Sequence, residues 1–241
     1  MSQPPSDVLV VAAVLLIGYP VADYVVGSKL KRSAQPRKWF YAWTLGCEWL
    51  LTIAVVGLLL RHGLALSDVG EASGRRIITI GFVGAGLILV AITAAYKRKR
   101  IVQLSPERLA KVLHRLGPLV PRPGVERALW VLVAVTAGFC EELLYRGWLW
   151  RFFRDLTGHL WIAVVLSAVA FGFAHAYQGR AGIISAGIVG LLFSVPVLLA
   201  NSLVPGQVIH TGLDLMNGLL LSKAAESIEG QMHNRVVVER S

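Results

Sequence analysis

The chain has 241 residues, of which 55% are hydrophobic and 16% are charged, below the roughly 25% charged residues of soluble domains. Several windows of about 20 residues are almost wholly apolar, so the composition indicates a polytopic α-helical membrane protein rather than a soluble one. The net charge of +10 does not indicate nucleic-acid binding, because the Lys and Arg residues cluster in connections beside the apolar segments. Positive side chains at such places set membrane orientation and contact anionic lipid head groups.

The apolar segments predict a single all-α bundle with seven transmembrane spans, or eight in the alternative count. The first seven residues lack the positive region of a secretory signal peptide, so we expect the first apolar segment to be retained as a span. Connections on one side carry 18 Lys and Arg residues and those on the other carry 5, which predicts an outside N-terminus and a cytoplasmic C-terminal tail. The predicted spans cover residues 8–27, 39–60, 77–96, 129–150, 159–176, 182–200 and 204–222.

The basic connection 97–128 contains a short amphipathic helix of its own. Ser105 supplies a capping hydroxyl and Pro106 suits the first helical position, while Gly117 can end the helix. Cationic residues occupy one face. The apolar residues of the other face are Leu109, Val112, Leu113 and Leu116. The pattern is typical of an interfacial helix on an anionic leaflet, and equally of a connector packed against the bundle.

Two adjacent glutamates interrupt the fourth span. Glu142 and Arg146 are four residues apart, so they can pair on one helix face. Glu141 points about 100° away and is left without that partner. An unpaired carboxylate is costly to bury in an apolar span, and it suits a general acid or base. The alternative is that both glutamates belong to a polar network that only fixes helix packing.

Two later spans add imidazoles. Phe171 and His175 share a face of the fifth span, where a histidine can also serve packing or lie among head groups. His210, Asp214 and Asn217 form a polar stripe on the seventh span, where the carboxylate can orient the imidazole. The alternative is a seam of hydrogen bonds between helices. The span boundaries place the two histidines at different depths, roughly 10 Å or more apart.

Two chemistries fit a site in which Glu141, His175 and His210 meet. In the first, Glu141 and His175 activate a water molecule and His210 stabilises the oxyanion of a tetrahedral intermediate. In the second, all three residues bind a metal ion that keeps an open position for water. Both chemistries hydrolyse a peptide bond inside a membrane cavity.

Three motifs carry a resemblance to a known family. They are E141-E-L-L-Y-R146-G, F171-G-F-A-H175 and H210-T-G-L-D214. In this order they resemble the CAAX protease and bacteriocin-processing (CPBP) family of intramembrane endopeptidases, which includes the type II CAAX prenyl endopeptidases. The resemblance covers roughly residues 125–222, whereas the first 120 residues match only as hydrophobic spans.

The resemblance implies a role for each residue of the fourth span. Glu141 would activate water with the assistance of His175, and Glu142 and Arg146 would shape and orient the site. The family has been described both as metal-dependent and as glutamate-dependent without metal. We expect the metal-free version, because two histidines at separate depths plus a carboxylate form a poor zinc set. Zinc bound by Glu141, His175 and His210 is the alternative.

On the oxyanion side, the resemblance implies His210 and Asp214, with Phe171 as a site-shaping residue. The last motif of the family admits Asn or Asp, and this chain has Asp214. An amide can donate a hydrogen bond to an oxyanion, whereas an ionised carboxylate cannot. Asp214 must therefore be protonated or must orient His210, and Asn217 is a candidate replacement donor.

The sequence therefore predicts an intramembrane endopeptidase acting on a peptide or protein presented at the membrane, with prenylated CAAX-like segments as one substrate class. The expected partners are this substrate and anionic lipids at the basic connections. Residues 1–128 would form N-terminal spans with the basic connection, 129–222 the catalytic core and 223–241 a polar tail. Short connections and the lack of a eukaryotic targeting signal favour a bacterial plasma membrane.

Two other functions fit the same residues less well. One is a non-catalytic bacteriocin-immunity or scaffold protein, against which the complete set of ionisable residues argues. The other is a proton-relay transporter, which usually shows paired repeats or interrupted helices in both halves. The polar residues of the spans fall mostly in the C-terminal half, with Asp23 and Glu48 as the exceptions. These two acids are assigned no role.

Overall fold

The predicted all-α fold is confirmed. The computed structural model describes residues 3–32, 37–71, 74–116 and 119–238, and their regular structure is entirely helical. Two π-helical segments, Val14–Gly18 and Glu142–Trp148, join flanking α-helices without a break. The α-helices are α1 (Ser6–Ala13), α2 (Tyr19–Arg32), α3 (Arg37–Arg61), α4 (Arg76–Val102), α5 (Pro106–Leu116), α6 (Val125–Glu141), α7 (Leu149–Thr157), α8 (Leu160–Ala174), α9 (Arg180–Ala200) and α10 (Val204–Val238).

Among the described residues, five helical segments have the length and apolar composition needed to cross a membrane. They are Ser6–Lys29, Arg37–Arg61, Arg76–Val102, Val125–Thr157 and Arg180–Ala200. The predicted fifth span corresponds to α8, which has 15 residues and rises about 22 Å, short of the roughly 30 Å hydrocarbon core. The predicted seventh span is the first part of α10, which continues for 35 residues to Val238. The span count of seven stays a prediction.

The basic connections lie together at one end of the bundle. Arg127, at the start of α6, places Nη2 2.6 Å from the Glu226 carboxylate on α10. The rings of Phe40, at the start of α3, and Tyr177, between α8 and α9, have centroids 5.5 Å apart. The rings of Tyr41 on α3 and Trp130 on α6 join these two pairs, with centroids 5.7 Å apart. The starts of α3 and α6, the connection between α8 and α9, and Glu226 of α10 therefore lie at one end of the bundle.

The remaining connections lie at the opposite end. His62 Nε2 is 3.1 Å from Asp7 Oδ2, which joins the end of α3 to the start of α1. The Arg75 amide donates to the Ala200 carbonyl oxygen at 2.8 Å, which joins the start of α4 to the end of α9. Helices α3 and α9 therefore both run from the end that holds Phe40 and Tyr177 to this one, whereas the orientation of the bundle in a membrane stays a prediction.

The predicted amphipathic helix is confirmed as α5. The Arg108 amide donates to the Ser105 hydroxyl at 3.4 Å, in the manner of a helix cap. Leu109 is buried against Ala224 and Ile228 of α10. This contact supports the connector packed against the bundle. The predicted end at Gly117 lies outside the described residues.

Helix α6 and the π segment after it form the centre of the molecule, and all seven residues of that segment are buried. Gly138 lets α10 approach α6 closely: a Cβ atom at this position would lie 2.8 Å from the Gln207 carbonyl oxygen. Small residues allow this close backbone approach between membrane helices. The approach brings the polar stripe of α10 beside the two glutamates at the end of α6.

Candidate active site

The predicted pairing of Glu142 with Arg146 is confirmed. Arg146 Nη1 lies 3.1 Å from Glu142 Oε1, and the two side chains are 2% and 0% exposed. Both residues belong to the π segment that begins where α6 ends, and such segments occur frequently at functional sites. A buried pair of this kind neutralises its own charge and leaves the neighbouring Glu141 as a separate acidic group.

Phe171 holds the guanidinium group of Arg146 from the side of α8. The Arg146 Cζ atom lies 4.1 Å from the Phe171 ring centroid, within the range of a cation–π contact, and 5.8 Å from the ring of Phe193 on α9. The Phe171 ring also packs edge-on against Tyr145 at 5.1 Å. Phe171 therefore touches the polar site directly, in line with the predicted site-shaping role.

His210 lies among three carboxylates. Its Nδ1 atom is 3.0 Å from Glu142 Oε1, and its Nε2 atom is 3.7 Å from Glu141 Oε2 and 3.6 Å from Asp214 Oδ2. The Glu142 carboxylate can only accept, so Nδ1 donates and this contact fixes the orientation of the ring. The imidazole from α10 is thereby held directly beside Glu141.

Gly206 makes room for this arrangement one turn before His210. A Cβ atom at Gly206 would lie 2.6 Å from Glu142 Oε2 and 3.2 Å from a methyl group of Val197. Any larger residue would therefore push α10 away from the π segment. The glycine lets the first turns of α10 lie against the Glu142 carboxylate.

His175 caps the end of α8 and has a defined tautomer. Its Nδ1 atom lies 2.9 Å from the Phe171 carbonyl oxygen, which can only accept, so Nδ1 carries the hydrogen and Nε2 is the acceptor of the neutral ring. The ring centroids of His175 and Phe171 are 4.6 Å apart, and those of His210 and Phe171 are 6.0 Å apart. Within the described ranges, Glu141 forms its imidazole contact with His210 and none with His175.

Asp214 and Asn217 occupy different surroundings although they share a helix stripe. Asp214 faces His210, and its backbone carbonyl oxygen accepts a hydrogen bond from Trp130 Nε1 at 2.9 Å. Asn217 Oδ1 accepts a hydrogen bond from Lys97 Nζ on α4 at 2.7 Å. The sequence left two options for Asp214: it is protonated, or it orients His210. Its position beside His210 fits the second option. The predicted replacement donor Asn217 is engaged by Lys97.

The three predicted zinc ligands do not form a metal-binding group. In the described part of the chain, no three His, Cys, Asp or Glu side chains are arranged to hold a metal ion. Glu141 and His210 face each other, whereas His175 makes no contact with Glu141 among the described residues. Nδ1 is hydrogen-bonded in both histidines, to Glu142 in His210 and to the Phe171 carbonyl oxygen in His175, so Nε2 is the nitrogen that each ring leaves for a ligand.

Two acids that the sequence analysis left without a role lie in or near the site. Glu48 of α3 is 1% exposed and its carboxyl group forms a side-chain hydrogen bond with that of Glu141. Asp23 of α2 is 3% exposed and accepts a hydrogen bond from Trp43 Nε1 at 3.2 Å. The signal that could have found them is the one that drew attention to Glu141, an acid within an apolar span. The sequence alone does not say which neighbouring helix each acid faces.

Comparison with protein-family models gives a match over the C-terminal part of the chain. The model described as "Type II CAAX prenyl endopeptidase Rce1-like" matches residues 123–216. The chain thus carries an Rce1-like domain. The match confirms the predicted resemblance to the CAAX protease family over this part of the chain, and it indicates a protease. No curated protein and no solved structure gives a significant match.

The Rce1-like domain includes most of the candidate residues. It spans both glutamates, Arg146, both histidines and Asp214, but it excludes Asn217 and the helix that carries Glu48. Together with the five membrane-length apolar helices, the match identifies an integral membrane protein. The polar site thus combines residues of the Rce1-like domain with one acid from the N-terminal half of the chain.

Proposed function

We propose that the protein is an intramembrane endopeptidase that hydrolyses a peptide bond of a membrane-presented, prenylated CAAX-like peptide or protein. The Rce1-like match over residues 123–216 supports the reaction class. One observation carries the mechanism: Glu141 Oε2 is buried, has no hydrogen-bond partner among the described residues, and faces His210 Nε2 at 3.7 Å. A carboxylate oxygen in that setting can accept a proton from a water molecule.

In the proposed reaction, Glu141 takes a proton from water while the water oxygen attacks the carbonyl carbon of the substrate. The carbonyl electron pair moves to oxygen and forms a tetrahedral oxyanion. Collapse of this intermediate breaks the C–N bond, and the proton held by Glu141 passes to the leaving amine. His210 acts here as the imidazolium, with a hydrogen on each nitrogen: Nδ1–H is held by Glu142, and Nε2–H, beside Asp214, donates to the oxyanion.

We assign His175 a supporting role on the water. Its Nδ1–H group is bonded to the Phe171 carbonyl oxygen, so its Nε2 lone pair is available to accept a hydrogen bond. Two acceptors, Glu141 Oε2 and His175 Nε2, would orient the lone pairs of a water molecule away from themselves and towards the substrate. Glu142, Arg146 and Phe171 maintain the geometry of the site.

We propose that the reaction needs no metal ion, and the arrangement of the candidate ligands supports this. Zinc is the alternative. Metal analysis of purified, active protein distinguishes the two. Activity with less than a tenth of an equivalent of zinc, retained after dialysis against a chelator, supports the glutamate mechanism. Activity that follows the zinc content contradicts it.

We propose that the basic end of the bundle lies on the cytoplasmic side of a bacterial plasma membrane and binds anionic lipids. A groove of about 560 Å³ between α4 and α10 supports this, because apolar residues line it and Arg98 and Lys223 border it. Such a groove suits an acyl chain with its phosphate beside the two cations. The short cationic run 97–100 lies at the same end.

The decisive experiment is cleavage of a farnesylated peptide with a CAAX sequence by purified protein in lipid nanodiscs. We expect wild type to release the C-terminal tripeptide, and Glu141→Gln and His210→Ala to lose at least about 100-fold in kcat. The exposed residue His114 provides a matched control, and His114→Ala should keep full activity. Cleavage by Glu141→Gln at the wild-type rate contradicts the proposal. Proton flux into vesicles, with no cleavage, favours the transporter.

A further inference from the structure

Glu48 is the one acid from the N-terminal half that contacts the proposed base within the described residues. It lies on α3, about 75 residues before the Rce1-like match begins, and its side chain is almost completely buried. One hydrogen bond joins its carboxyl group to that of Glu141. Oε2 of each residue is buried and has no other hydrogen-bond partner among the described residues.

A hydrogen bond between two carboxyl groups requires a proton, because ionised carboxylates only accept. The local charges give the same result. The cationic groups described around Glu141 are His210 and Arg146, and both also contact Glu142. Asp214 is a further carboxyl group beside His210. Ionising both Glu48 and Glu141 would therefore leave more buried negative than positive charge, and two carboxyl groups in direct contact do not both ionise. The Glu48 and Glu141 pair therefore holds one proton between its two groups.

The packing of α3 against α6 fixes Glu48 in this position. Trp49 Nε1 donates to the Thr136 hydroxyl at 3.2 Å, and the Trp49 ring stacks on Phe139 with centroids 5.8 Å apart. Both contacts lie within about one and a half turns of the glutamate pair. They favour one register of α3 against α6, and this register places the two carboxyl groups together.

We propose that Glu48 is a positioning residue for Glu141, which it holds by one carboxylate oxygen through the shared proton. This inference rests on the proposed function. The bond fixes the Glu141 carboxyl group while its Oε2 atom lies 3.7 Å from His210 Nε2, where water is to be deprotonated. Glu48 itself touches no reacting atom. The N-terminal helices thus complete a site whose other residues all lie in the Rce1-like domain.

Kinetics on the farnesylated CAAX peptide test the positioning role with Glu48→Gln and Glu48→Met. Gln keeps an N–H donor where the proton of Glu48 lies, whereas Met fills a similar volume without a donor. We expect Glu48→Met to lower kcat about 100-fold with KM within about threefold, and Glu48→Gln to restore most of kcat. Glu71→Gln, which changes another partly buried acid of the N-terminal half, should leave kcat unchanged.

Thermal unfolding separates positioning from a purely structural role. Glu48→Gln keeps the side-chain volume and a hydrogen-bond donor, so it should keep the wild-type Tm, whereas Glu48→Met leaves the buried Glu141 carboxyl group without its partner and should lower the Tm. Wild-type kcat in Glu48→Met overturns the proposal. So does a folded Glu48→Gln variant that has lost kcat about 100-fold, and this result decides the matter if Glu48→Met does not fold.

Infrared spectroscopy tests the shared proton without any substrate. We expect one carboxylic acid C=O band, shifted by exchange into D2O, that disappears in Glu48→Gln and also in Glu141→Gln. A band that survives both substitutions overturns the inference. The proposed function fails separately, through a wild type that does not cleave the peptide or a Glu141→Gln variant that does.

Discussion

Glu142 Oε1 lies 3.0 Å from His210 Nδ1 and 3.1 Å from Arg146 Nη1, so one carboxylate oxygen joins the π segment to α10. Neither contact reaches the proposed base directly. Their effect is to orient the imidazole so that Nε2 faces Glu141 and Asp214. Glu142 is therefore expected to serve both the stability of the bundle and the geometry of the reaction.

Removal of Glu142 should affect both properties at once. Glu142→Ala leaves Arg146 buried without its anion, a change that typically costs about 3–5 kcal/mol. We expect a clearly lower Tm in detergent and loss of peptide cleavage. Glu226→Gln is the control, since the carboxylate of Glu226 pairs with Arg127 at the partly exposed end of the bundle and should cost less than about 1 kcal/mol. Equal Tm values for the two variants would show that the buried pair is unimportant.

The distance between α10 and the π segment can be changed at Gly206. Gly206→Ala places a methyl group 2.6 Å from Glu142 Oε2, so α10 must move and carry His210 away from Glu141. We expect a loss of about 10- to 100-fold in kcat. At Gly212 in the same helix, the nearest atom to a new Cβ lies 3.6 Å away, so Gly212→Ala should keep full activity. Full activity in both variants would mean that α10 tolerates the displacement.

Local periodicity explains which parts of the site could be predicted from sequence. The pairing of Glu142 with Arg146 depends only on a spacing of four residues within one helix, and it was predicted correctly. The identity of the imidazole beside Glu141 depends on the tilt and register of α10 against α6. Those are set by close tertiary contacts such as Gly138 against Gln207, and the pattern of a single helix contains no information on them.

The contact of Glu48 with Glu141 was missed for a related physical reason. Helix α3 is apolar around most of its circumference, so its sequence does not define the face that meets α6. The length of an apolar segment was also a poor guide to the predicted fifth span. Helix α8 ends after 15 residues although the apolar segment looked long enough to span, because the chain turns at His175, whose ring bonds back to the helix.

The connection after α3 gives a pH-dependent contribution to stability. Burial raises the pKa of Glu71 above its ordinary value of 4.5, although a hydrogen bond from Gln207 Nε2 opposes this. As the pH rises, Glu71 loses its proton at a lower pH in the unfolded chain than in the folded protein. The free energy of unfolding therefore falls as the pH rises from 4.5 through the folded-state pKa. We expect Glu71→Gln to lose this part of the pH dependence of Tm. Parallel Tm curves for wild type and variant would contradict the assignment.

The groove between α4 and α10 predicts selective binding of anionic phospholipid. Arg98 and Lys223 border it, and each cation near a lipid phosphate contributes about 1 kcal/mol, which is roughly fivefold in affinity. Replacing both by Gln should therefore weaken retention of phosphatidylglycerol roughly 25-fold, as measured by native mass spectrometry of protein released from mixed micelles. Lys99→Gln removes a charge from the same helix that does not line the groove, so it should have a smaller effect. If the double variant and Lys99→Gln retain phosphatidylglycerol equally, the lipid binds through the general positive charge of this end, and the groove contributes nothing to the affinity.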